Sequence, residues 1–271
     1  MGRVVPTNRR QGPSPQPMPP PQAVQGGSLR TWTHGPAAEQ HVTLGTNGRP
    51  LDATVEVWDG PGNTPVSMRV YGENGRQRPI NAAIGGRGGP STVAVRNTGP
   101  MEFPITGDVM PVGHPSAPEP VGRRVSSSAR RTASGMTIQG GAERTFRLDW
   151  PVSSVQVLLS SEGMPITATI EVLQGPNTNR QGIELYSEDG RGRPVSYVLE
   201  TPGYGCVIQI NNKGPMEFPL TAEVVPLTVN HAVLAYGGQA IIGGDDRSGH
   251  GGCYDDWGSD TEGWGDRDTI Y

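Results

Sequence analysis

Cysteine is almost absent from this chain: Cys206 and Cys253 are the only two among 271 residues. That excludes a disulfide framework and a cysteine-rich zinc site, and it suits a reducing compartment. No apolar run approaches the roughly 18 residues of a membrane-spanning helix. The N-terminus carries no apolar secretory core, and Pro6 stands where a myristoylation signal wants Ser or Thr. The net charge is −4, so no basic field points to nucleic acid.

Catalytic patterns are missing as well. The five histidines are His34, His41, His114, His231 and His250, and the chain has no H-E-x-x-H, G-x-S-x-G or C-x-x-C. "GGRGG" at 85–89 has the glycines of a phosphate loop without its Lys-Ser/Thr or a following helix, and reads as a β-turn. Cys206 stands where the other half of the chain has Ser91 and reads as a small core residue. No enzyme activity, cofactor or metal is expected.

What the chain has is a duplication. "GPMEFP" occurs at 99–104 and again at 214–219, an offset of 115. At that offset residues 49–111 align with 164–226 without a gap, and 24 of the 63 pairs are identical. One inserted residue upstream brings Arg30-Thr31-Trp32 onto Arg144-Thr145-Phe146. Two copies of one unit of single-domain size are therefore expected.

Within each copy the hydrophobic period is 2. Thr54-Val55-Glu56-Val57, Thr169-Ile170-Glu171-Val172 and Val207-Ile208-Gln209-Ile210 alternate; His41–Leu44 and Val155–Leu158 do so less cleanly. Turn formers separate these runs: Gly60-Pro61-Gly62-Asn63, Asn74-Gly75, Asp189-Gly190. No segment shows a capped helical period. Each copy is expected to hold about seven strands, in the first near 30–34, 40–45, 51–58, 66–71, 78–85, 91–97 and 101–109. The fold class expected is all-β: two tandem antiparallel β-sandwiches, jelly-roll or Greek-key-like, stacked and related by a pseudo-two-fold or a screw.

The expected boundaries are a disordered Pro/Gln-rich arm at 1–28, copy one at 29–111, a basic linker at 112–141, copy two at 142–227 and a Gly/acidic/aromatic tail at 228–271. In the hexapeptide, Gly-Pro turns the chain and Met101 and Phe103 flank Glu102, as Met216 and Phe218 flank Glu217. The two methionines and two phenylalanines are expected to be largely buried in an edge strand that Pro104 limits. Two readings stand: a corner that packs the last strand, or a pair of equivalent contact edges. The motif Glu73/Arg76/Arg78, repeated at Glu188/Arg191/Arg193, reads as a solvated hairpin with a surface ion pair.

The tail opens with "AVLAYGGQAII"; between Asp245 and Asp268 it carries eight acids and two arginines, with Tyr254, Trp257, Trp264 and Tyr271 nearby. It is either a solubilising end or a segment that docks on a neighbouring subunit. In the second case Leu234 and Tyr236 add to an open sheet edge, and the four aromatics fill grooves. The acids then meet Arg123, Arg124, Arg130 and Arg131 of another chain's linker.

"LDATVEVWDGPGNTPVSMRVYGENGRQRP" together with the endings "AVRNTGPMEFP" and "INNKGPMEFP" resembles the pyrenoid shell proteins of diatoms and related algae. The resemblance spans about 29–227. It implies a non-enzymatic plastid protein that tiles into a sheet around the Rubisco-filled pyrenoid and limits CO2 leakage. Its partners would be itself and, by extension, paralogous shell proteins and Rubisco, with no nucleic acid and no membrane insertion. It implies the chloroplast, at the pyrenoid periphery. Met1 leads directly into "GRVVPTNRR" without a plastid leader, so either a mature or engineered form, or a chain not targeted to the plastid, is expected. Two other readings are a tandem carbohydrate-binding module and a capsid-like jelly roll. The first wants matched aromatic platforms, yet Trp58 aligns with Leu173 and Trp32 with Phe146, a pattern that suits core packing.

Overall fold

A computed structural model describes residues 21–112, 135–148, 152–175, 178–201 and 206–229, and the backbone of 242–245. These residues form strands, turns and irregular segments; no helix occurs among them. The first copy supplies β1 (Gln22–Val24), β2 (Leu29–His34), β3 (Glu39–Gly45), β4 (Leu51–Trp58), β5 (Val66–Gly72), β6 (Ile80–Gly85), β7 (Ser91–Asn97) and β8 (Ile105–Val112). The second repeats the series: β9 (Met136–Ile138), β10 (Glu143–Leu148), β11 (Val152–Ser160), β12 (Ile166–Leu173), β13 (Asn179–Ser187), β14 (Val195–Glu200), β15 (Val207–Asn212) and β16 (Leu220–Val229). A final strand, β17 (Ile242–Asp245), follows.

The strands make two antiparallel sheets, in the orders β1-β8-β3-β6-β14-β11-β16-β9 and β17-β10-β15-β12-β13-β5-β4-β7-β2. Each order reads the same from both ends when a strand is exchanged for its counterpart; β17 is the one strand outside that scheme. Because β6 pairs antiparallel with β14, and β5 with β13, a local two-fold axis runs through both sheets at these junctions. The expected pseudo-two-fold is therefore present. The expected separation into stacked sandwiches is not: both sheets run continuously through the two copies, and one hydrophobic core fills the space between them. The reason is that β5, β6, β13 and β14 would otherwise be edges, and joining them satisfies their backbone groups.

Alternation decides which side chains enter that core. In β4, Leu51, Ala53, Val55 and Val57 are buried while Asp52, Thr54, Glu56 and Trp58 lie on the outer face, half-exposed. Trp58 therefore stands outside the core, its indole N–H donating to Glu56 at 2.9 Å, contrary to the core position expected for it. Trp32 packs against the core rim and Phe146 lies within it. In β11 and β14 the alternation fails because Gln156, Leu158, Ser196 and Val198, which point away from the core, are buried too.

Crowding at the axis breaks the symmetry. Tyr197 of β14 lies opposite Ala82, its own counterpart, and its hydroxyl donates to the Met68 sulfur of β5 at 3.0 Å. Two tyrosines related by the axis would compete for the same space, so one large and one small residue share it. Burial drives the Tyr197 hydroxyl pKa well above its ordinary value.

The ends of the arm and linker also need correction. Residues 22–24 form β1 with Val24 buried, and 136–138 form β9 with Ile138 buried. The expected boundaries place the first in the disordered arm and the second in the basic linker. The signal in the sequence was "QGG" at 25–27 and 139–141, which extends the repeat upstream. Gly26 and Gly140 are required there. A Cβ on Gly26 would lie 2.0 Å from the Pro100 carbonyl oxygen, and one on Gly140 would lie 1.7 Å from that of Pro215.

Candidate assembly interface

The hexapeptide is a turn held from beneath by a buried asparagine. Asn97, 1% exposed, closes β7. Its side-chain amide donates to the carbonyls of Val24 (3.0 Å) and Phe103 (2.8 Å), and its side-chain oxygen accepts from the Gly99 amide (2.9 Å). The Phe103 amide donates to the Pro100 carbonyl at 2.9 Å and closes the turn. Asn212 repeats every contact, with Ile138 (3.0 Å), Phe218 (2.9 Å) and Gly214 (3.0 Å), and Phe218 donates to Pro215 at 2.9 Å. One side chain thus ties the end of one sheet, the turn and the short flanking strand together.

The turn presents what was expected to be buried. Met101 is 79% and Met216 76% exposed, with Glu102 and Glu217 exposed beside them; Phe103 and Phe218 are half-buried. The strand begins only at Ile105, so Met101 and Phe103 never enter a pleated register. The Arg49 guanidinium lies 5.1 Å from the Phe103 ring centre and covers it. The local two-fold puts Met101 and Met216 at opposite ends of the sandwich. Registers show this: Pro111, Gln40, Ile84, Val195, Leu159 and Ala222 form one row across the sheet. That row crosses β8 near its end and β16 near its start.

The repeated Glu/Arg motif is not a solvated hairpin. Arg78 and Arg193 are buried, 6% and 3% exposed, and their partners reach across the copies. Glu73 accepts from Arg78 at 2.8 Å and from Arg180 of the second copy at 2.5 Å. Arg193 pairs with Asp59 of the first copy and lies 3.6 Å from Glu188. Arg87, within "GGRGG", meets Asp189 at 2.7 Å; Gly88 there has a φ of 76°. The backbone amide of Gly192 and the Arg87 guanidinium hold the Asp189 carboxyl below its ordinary pKa. These pairs rivet the junction between copies, which no hairpin pattern could reveal. The cleft beside them, lined by Asp59, Asn63, Arg87, Ser91, Glu188 and Arg193, has its charges already matched.

Among the described residues no group of three His, Cys, Asp or Glu is arranged to hold a metal ion, and no helix is long and apolar enough to cross a membrane. Cys206 is buried on the core side, as expected. Leu234, Tyr236, Tyr254, Trp257, Trp264, Tyr271, Arg123, Arg124, Arg130 and Arg131 lie outside the described residues.

On the outer face of the nine-stranded sheet, Tyr71 and Tyr186 are exposed counterparts on β5 and β13. Beside them Arg69 approaches Asp52 at 3.6 Å. The flanks of the two sheets differ. In the eight-stranded sheet they are three-residue strands, β1 and β9. In the nine-stranded sheet they are β2, none of whose residues is buried, and β17, which covers β10.

Comparison with known proteins agrees on the family. Among solved structures, YhhW from Escherichia coli is 14% identical, with 72% of this chain and 80% of that one covered and a TM-score of 0.22. The N-terminal CBM22-1–CBM22-2 tandem domain of Paenibacillus barcinonensis Xyn10C is 12% identical, with 76% and 92% covered and a TM-score of 0.20. Neither superposes closely enough to carry an argument. Among curated proteins none matches. The family model for the diatom pyrenoid shell protein matches residues 14–226, which takes in both copies and β1. By its sequence over that span and its duplicated β-sandwich, the chain belongs to the diatom pyrenoid shell protein family.

Proposed function

We propose that this chain is a non-enzymatic building block that tiles into a sheet at the periphery of the chloroplast pyrenoid. The sheet encloses the Rubisco-containing matrix and slows the escape of CO2. Family membership supports a structural role in the pyrenoid shell. The observation that carries self-assembly is the pair of Met-Glu turns, identical in sequence, fixed by buried asparagines and exposed at opposite ends of a two-fold body. Exposed methionine contributes nothing to the fold, yet both copies display it on a rigid support. A contact from one end of a molecule to the opposite end of the next is heterologous and propagates instead of closing. The C-terminal tail adds a second contact by laying its aromatics on a neighbour, and Rubisco and paralogous shell proteins are the other partners.

Negative-stain microscopy of the purified chain across concentration and salt tests this reading. Extended sheets or tubes are expected. The double variant Met101→Ser/Met216→Ser and deletion of 253–271 should each weaken them while the fold, read by circular dichroism, is retained. A chain that stays monomeric at every concentration and salt overturns the proposal.

A further inference from the structure

The two copies differ at one edge, and that difference defines an interaction surface. β10 and β2 are counterparts. The outer side of β10 is occupied by β17, with Thr145 opposite Asp245 and Arg147 opposite Gly243. Among the described strands β2 has no such neighbour. Burial differs between the two strands: Phe146 and Leu148 are buried, whereas no residue of β2 is, and Leu29 is 41% exposed.

We propose that β2 is paired, antiparallel and about a two-fold axis at Thr31, with β2 of a second copy of this chain. This rests on the assembly reading above and names one of its contacts. The backbone polarity of β2 fixes the register. The Asn97 amide donates to the Ser28 carbonyl, so Ser28 faces β7. By the alternation of an antiparallel ladder, Arg30, Trp32 and His34 face β7 too, while Leu29, Thr31 and Thr33 turn their amides and carbonyls outward. Thr31 and Thr33 are the counterparts of Thr145 and Arg147, the residues that receive β17, so the edge geometry accepts a strand.

A two-fold at Thr31 pairs Thr31 with its copy, Leu29 with Thr33 and Arg30 with Trp32. Threonine facing threonine is a favourable cross-strand pair. The guanidinium of Arg30 already lies 5.9 Å from the ring of Trp32 in its own chain, and the pairing brings it opposite a second indole. No like charges are opposed. The strand has few of the usual defences of a free edge: it is six residues long, contains no proline and carries a single arginine. Among the described strands the nine-stranded sheet offers one such edge per chain, so an isologous pair satisfies both and joins the two nine-stranded sheets into one.

Cysteine at the axis reads this out. Cα atoms of a hydrogen-bonded antiparallel pair lie about 5.5 Å apart, within disulfide range. In a full-length Cys253→Ser background, Thr31→Cys should convert most of the protein to a disulfide-linked dimer on mild oxidation under assembly conditions. Arg96→Cys, exposed one strand further in, should not. Thr31→Pro, which removes an outward amide, should abolish the contact and leave the monomer folded. No more dimer from Thr31→Cys than from Arg96→Cys, or unchanged assemblies from Thr31→Pro, overturns the pairing. Sheets that form without the crosslink overturn this edge contact alone; a crosslinked dimer that never extends into sheets keeps it and overturns the shell reading.

Discussion

The two copies differ most where they meet and where they end, and least at the hexapeptide turns. Asn97 and Asn212 make the same contacts, residue for residue, although 39 of the 63 aligned pairs have diverged (63 − 24). At the axis, Tyr197 faces Ala82, Met68 replaces Ile183, and Gln181 replaces Val66. At the far edge, β17 covers β10, whereas β2 has no outer neighbour among the described strands. The lesson is geometric. A self-contained corner can be copied unchanged, but a residue on a two-fold axis meets its own counterpart, and identical large side chains there exclude each other.

The strongest way to break this comparison is at the axis. Tyr197→Ala empties a fully buried site and should cost about 3–5 kcal/mol, the range for large aromatic truncation, read as a lower urea midpoint. Ala82→Tyr should also destabilise, by overpacking, and the double exchange Ala82→Tyr/Tyr197→Ala should recover part of the loss. Additive losses would mean that the two positions do not share one space.

Asn97→Ala and Asn212→Ala come next. Each strips three hydrogen bonds and leaves buried backbone groups unpaired, for about 1–3 kcal/mol. Near-equal losses are expected; a difference above about 1 kcal/mol would show that one corner matters more to the merged fold. Phe103→Ala and Phe218→Ala should cost about 1–2 kcal/mol, below the range for a fully buried ring, because both are half-buried. Met101→Ser and Met216→Ser should shift stability by no more than about 0.5 kcal/mol, as exposed positions do.

The smallest effect is electrostatic and belongs to one copy. His34 is the counterpart of Leu148, and burial lowers its pKa below the ordinary histidine value of 6.5 against the opposing influence of a backbone hydrogen bond to Val109 and of Asp108. The unfolded chain therefore takes up the proton first. The stability contribution is complete above pH 6.5 and is lost as the pH falls from there through the lower folded value. His34→Leu makes the copies alike and should flatten that part of the profile in urea melts between pH 7 and 5. An unchanged slope would remove His34 as its source.

The sequence determined the class and the repeat. Alternation placed strands within a residue or two at 51–58, 66–71 and 91–97, because a strand with one buried face needs period 2 whatever it packs against. The 115-residue offset predicted a repeat related by a two-fold or a screw, and the turn formers predicted the hairpins. "GPMEFP" flagged its own importance through repetition, but not its burial. Met-Glu-Phe alternates like a strand, and only the asparagine beneath it, which needs β1 and β7 brought together, makes it a turn with an exposed tip. The tertiary structure alone decided that the copies fuse, because their inner edges satisfy each other's backbone groups. That fusion turned the apparent surface pairs of Arg78 and Arg193 into buried rivets. It also decided how the outer edges differ: β2 and β10 read alike as sequence, and what distinguishes them among the described strands is β17, which lies against β10 and not against β2.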